Sequence, residues 1–298
     1  MRIVVGAVVW LAAFGWAGAQ AVETASPSAP SSPIQDNSFL IEEAYNQDDG
    51  VVQHINLFRR DLRTGEWLGS FTQEWPIGGI AHQLSYGIAY QRIAGESGKV
   101  MGLGDAALNY RYQLVGDGEA RIAVAPRLTV LLPTGRWKEG LGSGSAGVQV
   151  ALPVSFVLSP DWVAHGNIGG TWTPSARDAR GDRARTLAGD LGGSVIWLGG
   201  GRINGMLEAL WSRDQTVVSP GRVKTESSLF VSPGVRWAYD FSSGLQIVPG
   251  IGVPIGRTQP GPIRGPAISL LRAPVPRRLA ARRRLRASWP ENSRAAFQ

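Results

Sequence analysis

The feature that most constrains this chain is a two-residue rhythm in its hydrophobicity. In the stretch HQLSYGIAYQRI, residues 82–93, Leu84, Tyr86, Ile88 and Tyr90 fall on one side of an extended strand, and Gln83, Ser85, Gly87, Ala89 and Gln91 fall on the other. A helix, with its period of 3.6, would mix the two sets. The stretch therefore reads as a strand with one apolar and one polar face, and the question becomes what each face touches. A soluble sandwich buries the apolar face in protein and wets the polar one. A membrane barrel turns the apolar face to lipid and encloses the polar one.

The rhythm recurs along the chain. Trp67, Phe71 and Trp75 share a face, as do Leu108, Tyr110, Tyr112 and Leu114, then Ile122, Val124, Leu128, Val130 and Leu132, and then Val148, Val150, Leu152, Val154 and Phe156. Later sets contain Trp162, Ile168 and Trp172; Leu187, Leu191, Val195 and Trp197; Leu207 and Trp211; Leu229, Val231, Val235, Trp237 and Tyr239; and Leu245, Ile247 and Ile251. With residues 51–60 this gives about eleven strands of about ten residues, the length a tilted membrane strand needs. The expected connections alternate in length. The short ones are 76–81, 115–119, 159–161, 199–202 and 240–243; the longer ones are 94–101, 133–144, 173–185 and 214–224, with 61–65 the short exception. Outer-membrane barrels sort their connections in this way, with short periplasmic turns and longer external loops. Trp162 and Trp172 stand roughly 24 Å apart along the normal of a strand tilted near 45°, the height of an apolar band with a headgroup level at each end. Trp67, Trp75, Tyr86, Tyr90, Tyr110, Trp162, Trp172, Trp197, Trp211, Trp237 and Tyr239 are the expected interface aromatics.

Composition agrees with this reading. The 298 residues include 39 Gly, 11 Trp and no Cys, which suits a turn-rich β protein and excludes disulfides and thiolate metal sites. The net charge of +7 misleads: the ten Arg and one Glu after residue 256 contribute +9, so the rest of the chain is near −2. The basic character belongs to the tail and gives no reason to expect nucleic-acid binding by the body.

Arg2, the apolar run from Ile3 to Trp16 and the small-x-small Ala19-Gln20-Ala21 read as a Sec-type signal peptide over residues 1–21, leading to the periplasm. Residues 22–33, rich in Ser and Pro, read as a disordered linker. Residues 34–50 alternate poorly. Glu42 and Glu43 would face opposite sides, so one carboxylate would meet lipid, and the segment reads as a periplasmic or lumenal extension ahead of a barrel at 51–256.

The words IQDNSFLIEEAYNQDDGVVQHI, GLGDAALNYRYQL, PRLTVLLPTG, GVQVALPVS and LQIVPGIGVPIG resemble the outer-membrane β-barrel family labelled MetA-pathway of phenol degradation, often called "transporter", over residues 34 to about 256. The resemblance implies an antiparallel transmembrane β-barrel of about 12 strands. It also implies passage of small, hydrophobic or aromatic compounds, and it brings no catalytic residues and no cofactor. The end departs from the pattern. Family members close with an alternating strand that finishes in an aromatic residue, whereas residues 257–298 accumulate Pro and Arg. A frameshift in a GC-rich gene and a genuine disordered basic tail both fit. Pro lacks the N–H a ladder needs, and only residues 264–272 offer a closing strand.

By alternation the lumen receives Asp105, Asn109, Arg111, Arg121, Arg127, His165, Asp190, Glu208 and Arg236, with Asn167, Gln113 and Gln246. Asp105 is placed to pair with Arg121 or Arg127. These groups would either line a solute-selective channel or form a network that holds a narrow barrel shut, and both readings remain open here. Loop 133–144, with Trp137 and Lys138, is placed to fold over the mouth. The arginines of loop 173–185 are placed to meet lipopolysaccharide.

His54, His82 and His165 are scattered, which gives no zinc spacing. His82 near Ser85 is the nearest approach to a lipid hydrolase pair, and Ser85 falls on the inward face. GLGD at 102–105 and GGG at 199–201 neither precede a helix nor carry a phosphate Lys, and QDDG, whose Asp48 and Asp49 could hold a Ca²⁺ loosely, is more simply a turn. The expectation is a non-enzymatic bacterial outer-membrane channel whose partners are outer-membrane lipids and lipopolysaccharide, the barrel-assembly machinery and a small-molecule solute. The alternatives are a closed structural or adhesion barrel and, behind it, a lipid-modifying enzyme.

Overall fold

In a computed structural model the described residues are built almost wholly of β-strands. The structure describes residues 36–95, 98–117, 120–241, 245–258, 261–264 and 267–274. The expected signal peptide, the linker and residues 275–298 lie outside the described residues.

The strands follow in chain order. First come β1 (Gln53–Arg60), β2 (Trp67–Pro76), β3 (His82–Gly95), β4 (Gly98–Leu103) and β5 (Ala106–Tyr112). Next are β6 (Ile122–Val124), β7 (Arg127–Leu132), β8 (Gly147–Ser159), β9 (Trp162–Arg177), β10 (Arg183–Gly199) and β11 (Ile203–Ser219). Then come β12 (Arg222–Trp237), β13 (Tyr239–Asp240), β14 (Leu245–Gly252), β15 (Ile255–Thr258), β16 (Gly261–Arg264) and β17 (Ala267–Pro274). All pairings are antiparallel. Several pieces share one position in the ring: β4 and β5 both lie beside β3, and β6 and β7 both lie beside β8. From β8 to β12 each strand pairs with the next, β12 passes to β14, and β14 to β17. The ladder returns to its start because β17 also pairs with β1, His54 opposite Arg272 and Arg59 opposite Ala267. Among the described residues the ring of pairings thereby closes, the condition for a β structure to sit in lipid. It also carries strand pairing to Pro274, past residue 256 where the sequence reading ended the barrel.

Exposure inverts what a soluble protein shows. On β3, Gln83 and Ser85 are buried, while Ile88 and Tyr90 are each 43% exposed. Leu191, Leu207, Leu229 and Ile168 are all more than half exposed, while Arg111, Glu208 and Arg236 are at most 2% exposed. An apolar outer surface this extensive is stable only against an apolar solvent. Among the described residues no helix is long and apolar enough to cross a membrane.

One set of connections is longer than the other, but much of its length is paired strand. The regions 94–101, 173–185 and 214–224 read as loops from sequence, yet β9 and β10 extend to Arg177 and back from Arg183, and β11 and β12 meet across Pro220 and Gly221. Gly221 adopts a φ of +69°, the left-handed geometry such a tight turn requires. Here the apolar alternation ends while the backbone goes on pairing.

Strand β1 breaks the general pattern. Its inward parity, set by buried Gln53, carries Ile55 and Leu57, while His54 and Asn56 fall on the outer side. Ile55 packs inside against buried Val248 of β14.

Candidate functional site: a belt inside the barrel

Residues 36–47 run around the inner wall. Five wall residues supply acceptors to their backbone, met in the reverse of ring order. The carboxylate oxygen Oε1 of Glu208, on β11, accepts the N–H groups of Phe39, Leu40 and Ile41 at 3.0, 2.7 and 3.3 Å. Asn167 Oδ1, on β9, accepts from Glu42 N at 2.8 Å, and Ser155 Oγ, on β8, accepts from Ala44 N at 2.8 Å. Gln113 Oε1, just past β5, accepts from Asn46 N at 2.9 Å, and Gln83 Oε1, on β3, accepts from Gln47 N at 2.7 Å. A strand in a sheet finds its partners on a neighbouring backbone. This belt has none, so inward side chains serve in their place, as buried amides require.

Its carbonyls are met in the same way. Arg111 on β5 donates to Glu43 O at 3.1 Å, to Tyr45 O, to Asn46 Oδ1 at 2.8 Å and to Glu42 Oε1 at 3.0 Å. Arg236 on β12 donates to Asn37 O. His165 bonds Asp36 O through Nε2 at 2.9 Å and Ser155 Oγ through Nδ1 at 2.8 Å. A carbonyl only accepts, so Nε2 carries the proton. In the neutral ring Nδ1 then accepts from the Ser155 hydroxyl, whose oxygen in turn receives Ala44 N–H. Two belt residues and two wall residues are thereby locked in one proton arrangement.

Apolar contacts fix the belt's depth. The Phe39 ring lies in a notch of three inward glycines; a Cβ at Gly234, Gly250 or Gly252 would stand 2.6, 2.8 or 2.8 Å from it. Buried Val163, Ile196 and Met206 complete the seat. Ile41 lies as close over Gly192, at 2.4 Å from a would-be Cβ. Ile41, Glu43 and Tyr45 on the belt are buried together with Arg111, Glu208 and Arg236 on the wall, as a filled cross-section requires. Burial pushes the Glu43 carboxyl above its ordinary value, against the pull of Arg111.

The residues singled out from sequence fall in different places. Arg111, His165, Glu208 and Arg236 hold the belt directly. Asn109 bonds Thr129, Ser85 and Arg127 on the wall. Asp190 faces inward over Gly169. Arg121 is exposed just before β6. Asp105 pairs with neither Arg121 nor Arg127. It accepts Gly135 N at 2.9 Å and both Ser143 N and Ser143 Oγ at 2.7 Å, which folds the 133–146 loop back so that Leu141 is buried and its carbonyl meets Gln91. Arg127 instead reaches Glu42 at 3.2 Å. Strand register could not show this, because Glu42 lies outside the sheet. His82 and Ser85 part ways: His82 bonds Tyr110 OH, and Ser85 accepts from Asn109 inside.

Alternation alone places Ser155 on the inward face, yet it does not tell a bonding hydroxyl from a merely small residue. Phe39 gave no signal, because its seat is built of absent side chains. The aromatics Trp162, Trp172, Trp197, Trp211, Tyr90, Tyr110 and Tyr239 are exposed on the outside, and Phe58, Trp67 and Tyr90 form a chain of ring contacts there. In the turn between β9 and β10, Asp178 Oδ1 accepts from Arg180 N and Asp182 N, while Arg177 lies over the Trp137 ring at 5.2 Å.

No family model and no curated protein matches the sequence. Among solved structures, an outer membrane channel from Pseudomonas putida F1 matches with a TM-score of 0.58 at 12% identity, covering 78% of this chain and 97% of that one. This chain has the outer-membrane β-barrel fold. The barrel also matches a structure described as the NanC porin, with a TM-score of 0.47 at 10% identity over 74% of this chain and 98% of that one. A structure described as the CymD monoaromatic hydrocarbon channel matches with a TM-score of 0.43 at 9% identity, over 78% and 90%.

Proposed function

We propose that this barrel is a passive, non-enzymatic channel of the bacterial outer membrane for small molecules, hydrophobic or aromatic ones among them, and that the belt is its gate. The observation that carries the reading is how the lumen is filled. The belt is a single segment ahead of β1, held by side chains and not by sheet pairing, so it can leave without breaking the barrel. A barrel built only as a scaffold has no need of a removable filling. Lipopolysaccharide around the outer rim and assembly by the barrel-assembly machinery belong to the same reading. The sequence resemblance and the apolar floor of the cavity above the belt support the hydrophobic solute class.

A closed structural or adhesion barrel is the second reading, favoured by the completeness of the belt's hydrogen bonding. Planar-bilayer recording of the full chain and of a chain lacking residues 36–47 separates the two. The channel reading expects small or rare openings from the full chain and a steady, larger conductance from the shortened one. A shortened barrel that folds and still insulates would overturn it.

A further inference from the structure

Above the belt the lumen opens into a cavity of about 430 Å³, lined from β1, β2, β3, β11 and β12 and floored by Leu40 of the belt. Its volume lies in the range of small-molecule sites. The wall changes character with height. Leu210 and Phe230, opposite each other on β11 and β12, are apolar; the next inward pair, Ser212 and Ser228, share a hydroxyl bond of 2.7 Å; the pair above is Asp214 and Glu226. Leu68 adds apolar surface from β2.

Arg59 stands across from this column. It shares inward parity with buried Gln53, lies opposite Leu68 and lines the cavity, and it has no hydrogen-bond or ion-pair partner among the described residues. The carboxylates that line the same cavity are already engaged. Asp61 accepts Arg63 N and Thr64 N at 2.7 and 3.0 Å, and Glu66 accepts Ala94 N at 2.6 Å. Glu226 pairs with Lys224 at 2.7 Å, and Asp214 accepts the Ser212 hydroxyl at 3.1 Å. These carboxylates keep their charge but already accept bonds, whereas the donors of Arg59 are left free for a ligand. Arg59 is exposed to the cavity, and its guanidinium fork matches a carboxylate.

We propose that this cavity binds small amphiphiles with an apolar body and an anionic head, the body against Leu40, Leu68, Leu210 and Phe230 and the carboxylate at Arg59. This deepens the channel reading by naming its solute class. It is tested by equilibrium binding, which a barrel that never conducts can still pass. The full-length protein in lipid nanodiscs is dialysed against radiolabelled octanoate, octanol or octylammonium, and uptake by empty nanodiscs is subtracted. Octanoate should bind saturably and more tightly than octanol. Arg59→Gln should weaken octanoate by roughly tenfold or more, the scale of a lost charge-assisted hydrogen bond, leave octanol unchanged, and be partly rescued by Arg59→Lys. Equal binding of octanoate and octanol to the unaltered protein overturns the proposal without recourse to any variant. So does octylammonium binding tighter than octanoate, which would assign the site to Asp214 and Glu226.

Discussion

One carboxylate oxygen, Glu208 Oε1, accepts three consecutive amides of the belt. Replacing Glu208 with Ala leaves those donors buried and unmet, at about 3 kcal/mol for the set. Amides 39–41 should then exchange hydrogen roughly 100-fold faster, with the barrel amides unchanged. Glu208→Gln keeps an acceptor oxygen and should lose only about 1 kcal/mol. Glu43 supplies a pH dependence. Burial raises its carboxyl, with Arg111 and His165 opposing and Glu42 reinforcing. The sign follows from linkage: below the ordinary carboxyl value the group is protonated with the belt seated or released, and nothing is lost. As pH rises between the ordinary and the raised value, the released belt ionises while the seated one stays protonated, so seating weakens. Channel openings should therefore become more frequent as pH rises through that window. Glu43→Gln should flatten the profile; an unchanged profile in that variant would reject the assignment.

At the scale of elements, the belt and the β12–β14 wall fit through missing side chains. A methyl at Gly234 would stand 2.6 Å from the Phe39 ring. Gly234→Ala should cost about 1–3 kcal/mol of belt seating by overpacking, and Phe39→Ala about 3–5 kcal/mol by opening a cavity. Because the two act on the same space, the double variant should be less harmed than the sum, a coupling that a double-mutant cycle on belt protease protection would measure. Strand β1 sits at the junction of belt and wall. Its inward Ile55 and Leu57 read from sequence as an ordinary apolar face, and only the pairing of Gln53 with Glu74 shows which way that face turns.

At the scale of the whole molecule, closure depends on β17, a short stretch within the Arg- and Pro-rich tail that pairs with both β14 and β1. Its pairing is a matter of backbone, and composition speaks mainly of side chains. A chain ending at residue 256 would leave the edges of β1 and β14 unpaired, which lipid does not tolerate. Such a truncation should yield no heat-modifiable band on a gel of unheated detergent extract, whereas the full chain should shift on boiling. A truncated chain that still shifts would show that β1 and β14 can pair directly.

By itself the sequence determined the β pattern and, β1 apart, the two unlike faces of its strands, because alternation is a local property and survives without knowledge of any partner. It also placed Arg111, His165, Glu208 and Arg236 on the inner side. Only the tertiary structure decided what those groups face. Residues 36–47 have no period of their own and take their path from acceptors on β11, β9, β8, β5 and β3, contacts that span up to 169 residues of chain. The same holds for the seat of Phe39 and the free donors of Arg59. Each is defined by what neighbouring strands leave empty or unpaired, and a linear pattern of residues does not record an empty space.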